Sequence, residues 1–454
     1  MPEHGLTERI SSAISKTTLT QLSPRAVAIT SRAIMDAIGN AYLGFEFVGE
    51  AFIKYAETVG GAADATLIGN GRKVWCGLAA GINSTFSYNS NMMESGPGDH
   101  LLDALAHTAI AVGERVGASG PDVIAAVGLS YDLNAFFYKA ARAKDRNGFV
   151  NTKKHTPVCV AACAAKLLGL DETQTHNAIG IAWMVEPPPM DLSIKLNVFT
   201  GLGSMFNLMI CQLGIQAALL TQSGVRGPRA VIERDVLYDL GSLEGFLRSD
   251  GYHVAHELHL KPWLGSRTST GAIQLVLELV AEHAVAVNEI DEVVVNAHRF
   301  YKEYPFNCAQ PGGFFEGCYS VQWIIANALL GYEPGHDWVA ATAFQDDRRQ
   351  ALAAKVRIGE HPGAVELWAT GRALGNPDVP IEVVVRTKRG EFKKGMKYRE
   401  ILGSPDNPMS DKQLQEKFLR LTGRVVGRER AERLLEVSKD LTRVADIRHI
   451  TSLY

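Results

Sequence analysis

His100 is the residue best placed to move a proton. Gly96-Pro-Gly-Asp99 reads as a turn ending in a helix N-cap, which puts His100 in the first helical turn. The positive end of a helix lowers the pKa of an imidazole there and attracts a carboxylate. The competing reading is an exposed histidine at a helix start. Just upstream, Ser87-Tyr88-Asn89-Ser90-Asn91 offers hydroxyls and amides that can hydrogen-bond a substrate. It has no carboxylate to act as acid or base, and it reads equally well as a plain polar loop. Lys153-Lys154-His155 is a cationic triplet before an apolar helix, either a source of charge for a site or a solvated turn. His253, His256 and His259 stand three apart, but there is no HExxH, and that spacing fans around a helix. No metal site is expected. No GxGxxG fingerprint follows a strand, so no dinucleotide is expected.

These residues sit in a chain of 454 with 46% apolar content, enough to bury a large core and to divide into two domains. The balance of 46 basic against 49 acidic residues argues against nucleic-acid or bulk-membrane partners. Cys76, Cys159, Cys163, Cys211, Cys308 and Cys318 form no CxxC pair and read as reduced core thiols of a cytoplasmic protein. Met-Pro-Glu-His-Gly at the start has no signal-peptide pattern. Met205–Leu220 is apolar but broken by Asn207 and Gln212, so it reads as a buried helix.

The elements that must carry the site are mostly helical up to about residue 262. Ser23-Pro24 opens a helix through Val27, Ile34 and Ile38, with Gly39 near its end. Pro121-Asp122 opens another toward Phe137, and helices are expected around 157–168, 172–184, 205–222 and 229–237. After the helical stretch Gly271–Val287 the texture changes. Ile290–Asn296, Lys355–Ile358, Val365–Ala369 and Ile381–Thr387 read as strands, with a turn at Arg389-Gly390. Ser410–Val444 is again helical. The pattern predicts a mainly α chain: a helical domain over 1–262, completed by returning helices over 395–454, with an α+β domain over 263–394.

Ala161-Ala-Cys-Ala-Ala-Lys-Leu-Leu-Gly-Leu-Asp171, followed by Asn177-Ala-Ile-Gly-Ile-Ala182, pairs an Ala-rich helix and a Gly stop with a capped second helix. With Met35-Asp36-Ala-Ile-Gly39, Asn407-Pro-Met-Ser410 and Lys417-Phe418, the chain resembles the MmgE/PrpD family over nearly its whole length. That family of cofactor-free lyases and epimerases includes 2-methylcitrate dehydratase, cis-aconitate decarboxylase and iminodisuccinate epimerase. The resemblance implies an all-α domain with an inserted lid-like α+β domain, an active site in the cleft between them, and a homodimer.

Carried over residue by residue, the resemblance puts His100 on the histidine of an "HPG" motif, with Leu101-Leu102 in place of Pro-Gly and Asp103 on a common fourth residue. The family's "DFDDT" falls on Ser87–Asn91, so Tyr88, Asn89 and Asn91 become the substrate contacts and every carboxylate is gone. "GWHPT" falls on Gly148–Thr152, keeping Thr152 but placing Val150 where the histidine stands. Lys154 is a replacement cation in this reading. Lys195 is nearest to the lysine of "TKxLHxG", although a gap-free count puts Gly203 there and Pro187-Pro-Pro189 reshapes the loop. Lys261-Pro-Trp-Leu-Gly-Ser-Arg267 resembles "KPYPxCR". Lys261 matches the lysine and Arg267 the arginine that can fork onto a carboxylate, with Ser266 beside it. Gly317–Trp323 resembles "AxFSLPY", keeping Ser320 and replacing the tyrosine with Trp323.

The family's reactions remove or move a proton on carbon next to a carboxylate, which needs a base and cations to hold the substrate and steady the developing charge. The implied activity is a lyase on a small polycarboxylate, dehydration first, with His100 and Lys261 catalytic. An epimerase, isomerase or decarboxylase on a less charged carboxylate is the second reading. A binding protein that keeps the fold without the chemistry is the third.

Overall fold

Caps and close-approach glycines set the helix limits. The computed structural model describes residues 5–93, 95, 96, 100–144, 154–185, 202–370 and 376–454. The chain divides into two compact units, one of Met1–Asn89, Gly96–Leu258 and Gln415–Tyr454, the other of Ser90–Ser95 and His259–Leu414.

The first unit is helical. Helix α1 spans Leu6–Lys16. Ser23 caps α2 (Pro24–Val59) by accepting the Ala26 N–H at 3.3 Å, with Pro24 in the first turn. The expected stop near Gly39 does not occur, because the glycines within α2 make room for neighbours. A Cβ on Gly39 would stand 3.0 Å from the Phe418 ring, and one on Gly44 would stand 1.9 Å from the Phe86 carbonyl oxygen. The helix ends instead at Gly60, whose φ is +67°. Helices α3 (Cys76–Asn89), α4 (Leu102–Val116) and α5 (Gly120–Lys144) follow, then α6 (Thr156–Leu167), α7 (Glu172–Trp183) and α8 (Leu202–Gln222). Asp171 and Gln174 form a reciprocal capping box on α7, at 2.8 and 3.1 Å. Gly214 of α8 lets α6 come close: a Cβ there would lie 2.5 Å from Val160. The helix expected over 229–237 is a series of turns. Ala230 has a φ of +54°, and Asp235 draws the Leu237 N–H to its side chain at 2.9 Å. A six-residue helix, α9 (Tyr252–Glu257), closes this stretch.

The second unit opens with α10 (Arg267–Glu282) and carries a four-stranded sheet. Its strands are β1 (Ile290–Ala297), β2 (Val356–Glu360), β3 (Pro380–Thr387) and β4 (Gly390–Lys397), in the order β2-β1-β3-β4. Strands β1 and β2 are parallel, and β3 runs antiparallel to both β1 and β4. Helix α11 (Val321–Leu329) lies between β1 and β2 in sequence. The run Val365–Ala369, expected as a strand, belongs to α12 (Pro362–Ala369). Pro362 opens that helix and the His361 ring caps it, accepting the Gly363 N–H at 3.2 Å. Ala364, Leu367 and Trp368 then share one face, packed with Val379 and Tyr398. The chain finishes with α13 (Asp411–Val426) and α14 (Arg428–Ser438). The fold is mainly α, with the longer strands among the described residues in this one sheet. No helix among the described residues is long and apolar enough to cross a membrane.

Candidate functional site

In the first unit the polar stretch expected as a loop is half helix. Ser87, Tyr88 and Asn89 form the last turn of α3. The half-buried Tyr88 ring meets the His100 ring edge-on, centroids 6.1 Å apart. The Asn89 side chain is buried, and its amide nitrogen has no hydrogen-bond partner among the described residues. His100 itself stands outside α4, not in its first turn. The N-cap is Leu101, which makes no side-chain cap bond, and His100 has a φ of +55°. A left-handed backbone at a residue other than glycine costs energy and persists only where surrounding structure holds it. The imidazole thus stands just before the N-terminal end of α4, where main-chain N–H groups lack intrahelical partners.

Deeper along α4 the ionisable groups are buried. Asp103 is in its first turn, and His107 follows one turn later. Neither ring nitrogen of His107 has a hydrogen-bond partner among the described residues. Burial pushes its pKa down to about 3, so it is a neutral imidazole.

The Lys153–His155 triplet expected as a solvated turn or spare charge is neither where it is described. Lys154 Nζ pairs with Asp235 at 2.8 Å and lies over the Trp183 ring at 5.4 Å. His155 is buried and stacked on Phe137 at 5.4 Å. Its Nε2 faces Asn134 Oδ1 at 3.1 Å and its Nδ1 faces the Tyr238 hydroxyl at 3.2 Å. An amide oxygen only accepts, so Nε2–H donates to it. Both side chains are committed to the core around α6. Thr152 and Lys195, with Val150, lie outside the described residues.

In the second unit, Lys261 and Arg267 converge on the short segment Ser90–Ser95. Lys261 is fully buried. Its Nζ donates to Asn91 O at 2.9 Å, to Asn91 Oδ1 at 3.2 Å and to Gly265 O at 2.7 Å. Its Nζ also lies 3.9 Å from Met93 Sδ. Asn91, at a φ of +48°, also accepts the Gly265 N–H at 3.1 Å and donates its amide to Cys318 O at 2.7 Å. Asparagine tolerates that backbone better than most residues. Ser95 and His259 exchange main-chain hydrogen bonds at 2.7 and 2.8 Å, and Arg267 Nη2 donates to Ser95 O at 3.0 Å. Lys261 therefore acts here as a clamp on the segment. Arg267 gives Ser95 one of its five N–H groups and rests over the Tyr398 ring at 5.5 Å. Ser266 is the N-cap of α10, accepting the Ser269 N–H at 3.2 Å.

Ser320, carried over from the family motif as a substrate contact, and Trp323 make hydrogen bonds within the second unit. Ser320 caps α11, accepting the Trp323 N–H at 3.0 Å, and its hydroxyl donates to Cys308 O at 2.5 Å. The Trp323 indole is buried and donates to Trp338 O at 2.7 Å. The histidine trio is dispersed. His253 lies in the first unit, 2.9 Å from Glu257, and His259 in the second, 3.1 Å from Leu402 O. All six cysteines are free thiols.

Sequence reasoning missed Asp132. Its carboxylate reaches from α5 to accept the His253 and Val254 N–H groups at 3.0 and 3.1 Å, and it also takes the Ser249 hydroxyl. No local pattern announces a cap supplied by another helix. The absence of a capping side chain at Gly251 was the only hint in the sequence.

Two family models match the chain: the MmgE/PrpD N-terminal domain over residues 8–245 and the MmgE/PrpD C-terminal domain over 266–443. The chain belongs to the MmgE/PrpD family. No curated protein matches it in sequence. MmgE/PrpD proteins are typically lyases of the dehydratase type, so membership supports an enzymatic role in general. Within the MmgE/PrpD frame, His100 is an imidazole just before a helix, with the Tyr88 ring edge-on against it.

Proposed function

We propose that this protein is a cofactor-free lyase that takes a proton from carbon next to a carboxylate of a small polycarboxylic acid, with dehydration as its reaction. His100 is the base, and Tyr88 and Asn89 bind substrate. The observation that carries this reading is the His100 backbone, held left-handed just before the start of α4. In the reaction His100 accepts the carbon-bound proton. The electron pair forms the new carbon–carbon double bond as the β-hydroxyl leaves, and the departing hydroxide takes up the proton that His100 accepted, leaving as water and returning the neutral imidazole.

A second reading is favoured by one specific observation: Ser87–Asn91 contains no carboxylic acid to protonate a departing hydroxide. An epimerase, isomerase or decarboxylase needs no such acid, and a less charged carboxylate would suit the neutral Tyr88 and Asn89. The test is incubation with β-hydroxy di- and tricarboxylates, following the ultraviolet absorbance of a conjugated unsaturated acid. Product that His100→Gln fails to make supports dehydration. Substrate consumed without unsaturated product favours the second reading.

A further inference from the structure

His253 on α9 has one ring nitrogen within reach of two opposite charges. The residue is only 4% exposed. Its Nδ1 lies 2.9 Å from Glu257 Oε2, one turn further along α9, and 3.2 Å from Lys139 Nζ on α5. Lys139 Nζ also pairs with Glu257 Oε1 at 2.7 Å. The ring's other nitrogen, Nε2, is buried and has no hydrogen-bond partner among the described residues. Phe136 of α5 meets the ring edge-on, centroids 4.6 Å apart, and Tyr252 of α9 does so at 5.3 Å.

Nδ1 cannot bond both neighbours at once, because an ammonium only donates and a carboxylate only accepts. An imidazolium has a proton on both nitrogens. A charged ring therefore donates Nδ1–H to Glu257 and faces the ammonium as a second cation. Helix α9 packs against α5 and α2, and the other titratable groups there do not reach the ring nitrogens. From α5, Asp132 accepts the main-chain N–H groups of His253 and Val254. From α2, Arg25 Nε donates to Ala255 O at 3.0 Å. On α9 itself, His256 lies beside the Tyr252 ring at 4.8 Å. Lys139 is the member that can leave, since its side chain is 43% exposed.

We propose that His253 is a pH-sensitive switch on the contact between α5 and α9. With the ring neutral, Lys139 stays against the imidazole and the carboxylate together. Proton uptake gives Glu257 to the ring and turns Lys139 out into water, which loosens the end of α9. There the chain leaves the first unit, after Leu258. Histidine is the side chain that makes such a change near neutral pH. The switch does not depend on the role of His100.

The test is ring-nitrogen NMR of histidine-labelled full-length protein from about pH 5 to 8, with the His253 signals assigned by their loss in His253→Gln. Lys139→Met removes the competing cation, and the His253 midpoint is expected to rise by about half a pH unit or more. Amide hydrogen exchange reads the release itself. Corrected for the pH dependence of the exchange chemistry, the α9 amides of wild type should exchange about threefold faster below the His253 midpoint than above it. In Lys139→Met they should exchange equally on both sides, because there is no ammonium to expel. A His253 midpoint unchanged in Lys139→Met, or wild-type α9 exchange that ignores that midpoint, would overturn the proposal.

Discussion

Lys261 Nζ donates to both the main-chain oxygen of Asn91, at 2.9 Å, and its side-chain oxygen, at 3.2 Å. One ammonium thus grips both ends of a residue held at a φ of +48°. Gly265 O takes a further N–H, at 2.7 Å.

Lys261→Met should therefore destabilise the protein by about 3 kcal/mol, because the methionine leaves buried carbonyls without a donor. Urea unfolding measures the loss, and faster amide hydrogen exchange at Gly265 locates it. A stability within about 0.5 kcal/mol of wild type would show that the clamp carries little.

That contact also shows where sequence reading stops. The β-branched run of β1 was legible because a half-buried strand repeats every two residues, and Ser23-Pro24 and Asp171 marked helix starts through local capping chemistry. Val365–Ala369 misled because its strand-like composition was overruled by a proline and a histidine cap just before it. Gly39 misled because a close approach to Phe418 looks the same in sequence as a stop. Asn91, Lys261 and Gly265 meet across 170 positions of chain, a pairing no local pattern contains. His100 was visible as a candidate from its turn and its type. Its left-handed backbone outside the helix was not, since a preceding Asp read as the cap and the N-cap is in fact Leu101.

His107 predicts an acid limb to stability. Its imidazole stays neutral in the fold down to about pH 3, whereas an unfolded histidine takes its proton near pH 6.5. Between those values the unfolded chain binds more protons, so the contribution is full above pH 6.5 and is lost as pH falls toward 3. His107→Leu removes it. Between pH 7 and pH 5 wild type should lose about 2 kcal/mol relative to the variant. Urea unfolding of both proteins at the two pH values tests this, and a constant difference between them would contradict it.

Asp132 predicts a more local effect. Its two oxygens serve the His253 and Val254 N–H groups and the Ser249 hydroxyl, capping α9 in place of Gly251. Burial raises the carboxyl pKa, opposed by these hydrogen bonds and by His253. Asp132→Asn weakens the acceptors, and its amide nitrogen cannot accept at all. A cost of about 1–2 kcal/mol is expected, with faster amide exchange at Val254. Unchanged exchange there would mean that α9 is held by packing alone.

The central claim is proton chemistry at His100, and proton NMR in D2O reads it whatever the product is. A panel of small polycarboxylates and their less charged analogues would be incubated with wild-type protein and with His100→Gln. Deuterium entering a carbon position beside a carboxylate with wild type, and at least a hundredfold more slowly with the variant, is the predicted result. Equal exchange by the two proteins would contradict the assignment of His100 as the base.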